Sequence, residues 1–163
     1  MQKVGHHLQV EAKKKLGEER DLFARSAYNR YYYAVFLLAR SAFASINADW
    51  SVAPHKSYPE ILKGTITGKF RKAKQNANKV HDYDLIARIE NAVHAAAELA
   101  KLMEKAYATR IVADYQPLEC VVFNGADRFS LKKIDITDAH SWHEKAMIWT
   151  KIITDTWAQI DVQ

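Results

Sequence analysis

Only three prolines and five glycines interrupt a chain of 163 residues. This scarcity constrains the fold more than any other feature, because these are the residues that most readily end helices and strands. Between them lie long runs rich in Ala, Leu, Lys and Glu, which favour helix. The expectation is an all-α bundle of about five helices, with one β excursion near residues 118–134. The length fits one domain, residues 1–163, large enough to bury a real core.

Apolar periodicity places the elements. A first helix fits residues 6–16, with Leu8, Val10, Ala12 and Leu16 among Lys and Glu, and Gly17 marks a break. A second fits residues 18–47, where Leu22, Phe23, Ala27, Tyr31, Ala34, Val35, Leu38, Ala42 and Phe43 spread apolar content most of the way round. Such a helix belongs at the centre of the fold, buried on several sides. Pro54 keeps residues 48–56 as a loop. "SYPEILKGTI" reads as a short helix ended by Gly64, and residues 66–79 as a basic helix. Asp82 is placed to cap a helix over 83–112.

The stretch 117–136 changes character. "LECVVF" and "RFSLKKIDI" flank "NGAD", so Asn124–Gly125 marks a hairpin turn. An isolated hairpin is marginal, so this one must lean on the helices or on a partner. Thr137 reads as the N-cap of a last helix over 138–160, whose Trp142, Ala146, Trp149, Ile153, Trp157 and Ile160 stripe suits a core or a dimer interface.

Composition narrows the function classes. The single cysteine, Cys120, allows no internal disulfide and fits a reducing cytoplasm. The N-terminus "MQKVGHHLQVEAKKK" lacks the apolar segment of a signal peptide, and no stretch is apolar enough for a membrane span. The formal net charge is +5. The excess concentrates in "KFRKAKQNANKVH", where Lys69, Arg71, Lys72, Lys74 and Lys79 occur without an acid. These residues, with Lys56, are nucleic-acid-binding candidates; a solvated surface helix is the plainer reading.

No glycine-rich phosphate loop, Cys/His metal spacing or HExxH motif is present, so neither a cofactor nor a metal is expected. His140 and His143 read as an exposed pair rather than a metal site. What remains is polar residues on apolar helices. Asn29, Arg30 and Tyr33 lie in the second helix, and Arg110, Asp114 and Tyr115 lie at the end of the helix over 83–112. A buried arginine is costly unless paired. Arg30 therefore needs an internal carboxylate, for which Asp114 is available, or a cleft. A network that only fixes helix packing and a functional site both satisfy this requirement.

"SAYNRYYYAVFLLARSAF" resembles the helix signature of small stand-alone HEPN proteins (higher eukaryotes and prokaryotes nucleotide-binding), with Arg30, Tyr32, Tyr33, Ala34, Phe36, Ala39 and Arg40 on the pattern. "PHKSYPEIL" is similar to the family's His-containing segment and places His55. "YATRIVADYQP" is similar to its R-x-x-A-D-Y motif and places Arg110, Ala113, Asp114 and Tyr115. The last helix is similar as well, so the likeness covers most of residues 8–160.

The resemblance implies an up-and-down helical bundle that dimerises. Its members are metal-independent ribonucleases, often toxins or antiviral effectors, or non-catalytic modules that bind RNA, a nucleotide or a nucleotidyltransferase-type partner. Arg30, His55, Arg110, Asp114 and Tyr115 become the catalytic candidates. The ribonuclease members pair an arginine with a histidine four to six residues later. That chemistry is intelligible, because His exchanges protons near neutral pH and Arg steadies the phosphorane charge.

This chain departs from the pattern. Leu37 stands at the histidine position after Arg30, and no histidine follows Arg110 in range. Arg88 and His94 match the spacing formally, but such a match is expected about once by chance. Six residues also put the two about 120° apart around a helix. A pairing of His55 with Arg30 or Arg110 in three dimensions is the remaining route to cleavage. The balance favours a binding protein in a toxin–antitoxin or defence setting, with a metal-independent endoribonuclease or a non-catalytic scaffold as alternatives.

Overall fold

The computed structural model describes residues 1–125 and 128–161. The fold is mostly helical with a small antiparallel sheet. The α-helices are α1 (Gln2–Lys14), α2 (Gly17–Ala44), α3 (Ser57–Ile61), α4 (Thr67–Lys79), α5 (Tyr83–Tyr115) and α6 (Ile136–Asp161). Five of these have 13 residues or more, in keeping with the expected bundle of about five. Among the described residues no helix is long and apolar enough to cross a membrane.

The breakers act mostly as expected. Gly17 adopts φ +56°, a conformation costly for other residues, and lets the chain turn from α1 into α2. Asp82 caps α5 by accepting from the Leu85 N–H at 3.0 Å.

Gly64 departs from expectation. It does not end a helix but lies in a π-helical turn, residues 62–66, that joins α3 to α4. The Thr67 hydroxyl donates to the Leu62 carbonyl at 2.7 Å and helps satisfy the widened turn. The cap of α6 is also corrected. Asp135 accepts from both the Thr137 backbone N–H (2.8 Å) and the Thr137 hydroxyl (2.6 Å), so the carboxylate caps and Thr137 is the capped residue.

The β excursion has three strands rather than two. β1 (Val122–Asn124) pairs antiparallel with β2 (Arg128–Leu131), and β2 with β3 (Ile134–Asp135). The first turn contains Gly125 at φ +75°; Ala126 and Asp127 of the expected "NGAD" turn lie outside the described residues. The second turn is Lys132–Lys133, both at positive φ, which closes a two-residue hairpin between Leu131 and Ile134.

The residues group into two compact units. The first comprises Met1–Leu37 and Lys105–Glu144, the second Leu38–Glu104 and Lys145–Gln163. In the first, the core is built on α2, with Ala24, Ala27, Tyr28 and Tyr31 fully buried. Tyr28 supports the sheet: its hydroxyl donates to the Ile134 carbonyl at 2.7 Å, with the Phe129 carbonyl at 3.3 Å, and its ring meets Phe129 edge-on. Tyr31 donates to Gln9 at 2.5 Å and contacts His140 Nδ1 at 2.9 Å, which docks α1. In the second unit, Phe43, Tyr58, Leu62, Ile66, Phe70 and Ile153 are buried, with Trp50 and Trp157 half-buried against them.

Candidate functional site

The described polar cluster lies in the first unit, where α2 meets the end of α5. The helix expected over 83–112 runs on to Tyr115, which puts Arg110, Asp114 and Tyr115 within its last turn and a half. Four residues apart on a helix, Arg110 and Asp114 face each other. Arg110 Nε lies 2.7 Å from Asp114 Oδ2, although the N–H is not aimed along that line; the attraction there is that of an ion pair. Arg110 also donates to the Tyr115 hydroxyl at 3.1 Å and sits 4.9 Å from its ring centroid. Burial opposes the charge on Arg110, but the Tyr115 hydrogen bond and the Asp114 charge outweigh it and raise its pKa above the ordinary value. From α2, the Asn29 amide reaches both oxygens of Asp114 at 2.9 Å.

Beside this cluster opens a cleft of about 470 Å³, lined by Leu22, Arg25, Ser26, Asn29, Arg30, Ala113, Asp114 and Tyr115. Arg30 is exposed and, among the described residues, has no ion-pair partner. This corrects the expectation that Arg30 is the costly buried arginine. On α2 it falls on the face turned away from Tyr28 and Tyr31, and there water solvates its charge. The Tyr115 side of the cleft is also open, that residue being 64% exposed.

The buried arginine is Arg25, at 8% exposure. Its Nε donates to Asp21 at 2.5 Å, one turn earlier. Its two terminal nitrogens reach the carbonyls of Val112 (3.3 Å), Ala113 (3.2 Å), Gln116 (3.3 Å), Pro117 (3.4 Å) and Glu119. Those carbonyls lie at the end of α5 and in the loop that follows, where the helix dipole favours a cation; those of Val112 and Gln116 also accept a backbone N–H, from Gln116 (3.2 Å) and Glu119 (3.1 Å). Asp21 also accepts from the Val121 N–H at 3.0 Å. Sequence reasoning missed Arg25. The available signal was its position between core Ala24 and core Ala27, with an aspartate four residues before it.

The other candidates lie elsewhere. His55, half-buried, and exposed Lys56 form a turn before α3 in the second unit, whereas Arg30, Arg110, Asp114 and Tyr115 belong to the first. Arg88 and His94 are both exposed on α5 in the second unit. Lys69, Arg71, Lys72 and Lys79 are exposed on α4, and Lys74 is held by Glu90 at 2.6 Å. No histidine is among the residues lining the cleft. Among the described residues, no group of three or more His, Cys, Asp or Glu is placed to hold a metal ion.

No family model, curated protein or solved structure matches the chain.

Proposed function

We propose that this chain is a HEPN-like helical protein that binds RNA or a nucleotide in the α2/α5 cleft without cleaving it. The observation that carries the reading is exposed Arg30, unpaired among the described residues, beside the open ring of Tyr115 in one cleft. A guanidinium suits a phosphate and an exposed aromatic ring suits a base. Asp114 does not spoil the site for an anion, because Arg110 and Asn29 hold it. Binding is favoured over catalysis because general acid–base chemistry needs a group that exchanges protons near neutral pH, and the cleft lining supplies no histidine.

The resemblance adds a homodimer, a toxin–antitoxin or defence role and a nucleotidyltransferase-type partner to the proposal, and the single cysteine adds a cytoplasmic setting. Light scattering at twice 18.7 kDa checks the dimer. The function is tested by incubating the protein with mixed RNA and with nucleotides in EDTA. The expected result is binding without cleavage, weakened about tenfold by Arg30→Ala, as loss of one charge-assisted contact implies. Metal-independent cleavage lost in His55→Ala would replace this reading with the ribonuclease. Unchanged binding in Arg30→Ala would remove the cleft from the function.

A further inference from the structure

The second unit carries a separate basic surface. α4 buries Thr67, Phe70 and Ala77. Lys72 and Lys79 each follow a buried residue by two positions, about 200° around the helix, so they point away from the core. They are seven residues apart, which puts them about 20° from each other and about 10.5 Å apart along the axis. Lys69 lies one turn before Lys72 on the same side. Among the described residues Lys72 and Lys79 make no ion pair, in contrast to Lys74, which Glu90 neutralises.

The stripe starts at an aromatic pair. Lys69 Nζ lies 5.8 Å from the Trp157 ring centroid, and Trp157 meets Trp50 edge-on at 6.3 Å. Both tryptophans are half-buried, so each keeps indole surface at the end of the row of cations. Cations in line alone would suit any polyanion. Cations in line from a partly open aromatic pair suit a single strand, whose unpaired bases stack while its phosphates follow the charges.

We infer that the outward face of α4, through Lys69, Lys72 and Lys79 with Trp157 and Trp50 at its start, is a track for single-stranded RNA. It lies on different residues from the cleft, so the two proposals fail separately.

The test is fluorescence anisotropy of the full-length protein with a labelled oligouridine of about 12 nucleotides, titrated between about 50 and 200 mM salt. Lys72→Glu/Lys79→Glu is expected to weaken binding at least about twentyfold. It should also flatten the salt slope by about 1.4, the value for two lost contacts on a single strand. Lys74→Glu, at a lysine already held by Glu90, should change affinity less than threefold or so. Intrinsic tryptophan emission should be quenched along the same isotherm.

Four results overturn the inference: binding unchanged in the double variant, an equal loss in Lys74→Glu, duplex RNA bound as tightly as the oligouridine, or no tryptophan quenching. Arg30→Ala run beside them separates the readings. A loss in that variant with none in the α4 double variant leaves the cleft standing and removes the track.

Discussion

Replacing Arg25 with alanine tests how the site end of the first unit is held together. The side chain is 8% exposed and donates to the carbonyls of Val112, Ala113, Gln116, Pro117 and Glu119 while pairing with Asp21. Not all of this is lost on truncation. The contacts to Val112 and Ala113 are buried, whereas the other three carbonyls lie nearer to solvent and can take up water. Asp21 has a side chain 34% exposed, so its lost ion pair adds less than about 1 kcal/mol. Two buried bonds to a charged donor, each at the low end of about 1.5–3 kcal/mol, give a loss of about 3 kcal/mol. That is over a hundredfold in the folding equilibrium, and for a chain of this size about 6–12 °C in Tm. Urea unfolding followed by far-UV circular dichroism measures it, with the m-value unchanged. Arg25→Lys keeps the charge but not the fork, and should recover about half. A loss under about 1 kcal/mol, or a lysine variant as stable as the parent, would show that the carbonyls do not depend on this residue.

Other substitutions probe the same unit. A Cβ at Gly5 would sit 2.9 Å from two ring atoms of fully buried Tyr31, so Gly5→Ala should destabilise by about 1–2 kcal/mol despite better helix propensity; a stabilised variant in thermal melts would refute the close packing. Tyr28→Phe removes the hydroxyl bond that supports β3 and should cost about 1–2 kcal/mol by chemical denaturation, with the sheet amides exchanging faster. Lys133 holds φ +67°, so Lys133→Gly should raise stability by about 0.5–1 kcal/mol, and a loss would mean the turn is not under strain. Burial, then the neighbouring His6, lowers the pKa of His140 below the ordinary 6.5, and burial, then the N-terminal charge, lowers that of His143. The unfolded chain thus binds these protons more readily, and stability should fall as the pH drops below about 6.5. His140→Gln should flatten that decline, and an unaltered pH profile would exclude His140 as its source.

The parts of the site that were legible in the sequence were those set by local spacing. Arg110, Asp114 and Tyr115 share the end of one helix, so their grouping follows from three to five residues of separation. In sequence Asn29 is only a polar residue of a central helix, and the packing of α2 against the end of α5 is what brings its amide to Asp114. The burial of individual α2 residues was not legible. A helix apolar most of the way round gives no unambiguous inner face, so Arg30 and Arg25 could not be ranked, and only packing against the end of α5 puts Arg25 inside. The third strand was hidden because Lys132 and Lys133 carry no turn signature, and tertiary support from Tyr28 supplies what local preference lacks. The α6 cap was misplaced because Asp135 and Thr137 are both good caps two residues apart. Only their hydrogen bonds distinguish donor from acceptor.

The π turn over residues 62–66 has a consequence for everything that follows it. Tyr58, Leu62, Ile66 and Phe70 are fully buried at steps of four. In an unbroken α-helix each such step drifts by about 40°, so the last would have rotated well off the core. The wider turn absorbs that drift and sets the phase of α4. The outward direction of Lys72 and Lys79 is therefore fixed upstream, by the register of Tyr58, Leu62 and Ile66. Deleting one residue between Lys63 and Thr65 would leave the buried positions at steps of four, three and four, which an ordinary α-helix holds on one face, so the turn would relax and α4 would keep its phase; inserting one there would instead turn α4 by about 100°, carrying its cations toward the core and Phe70 toward water.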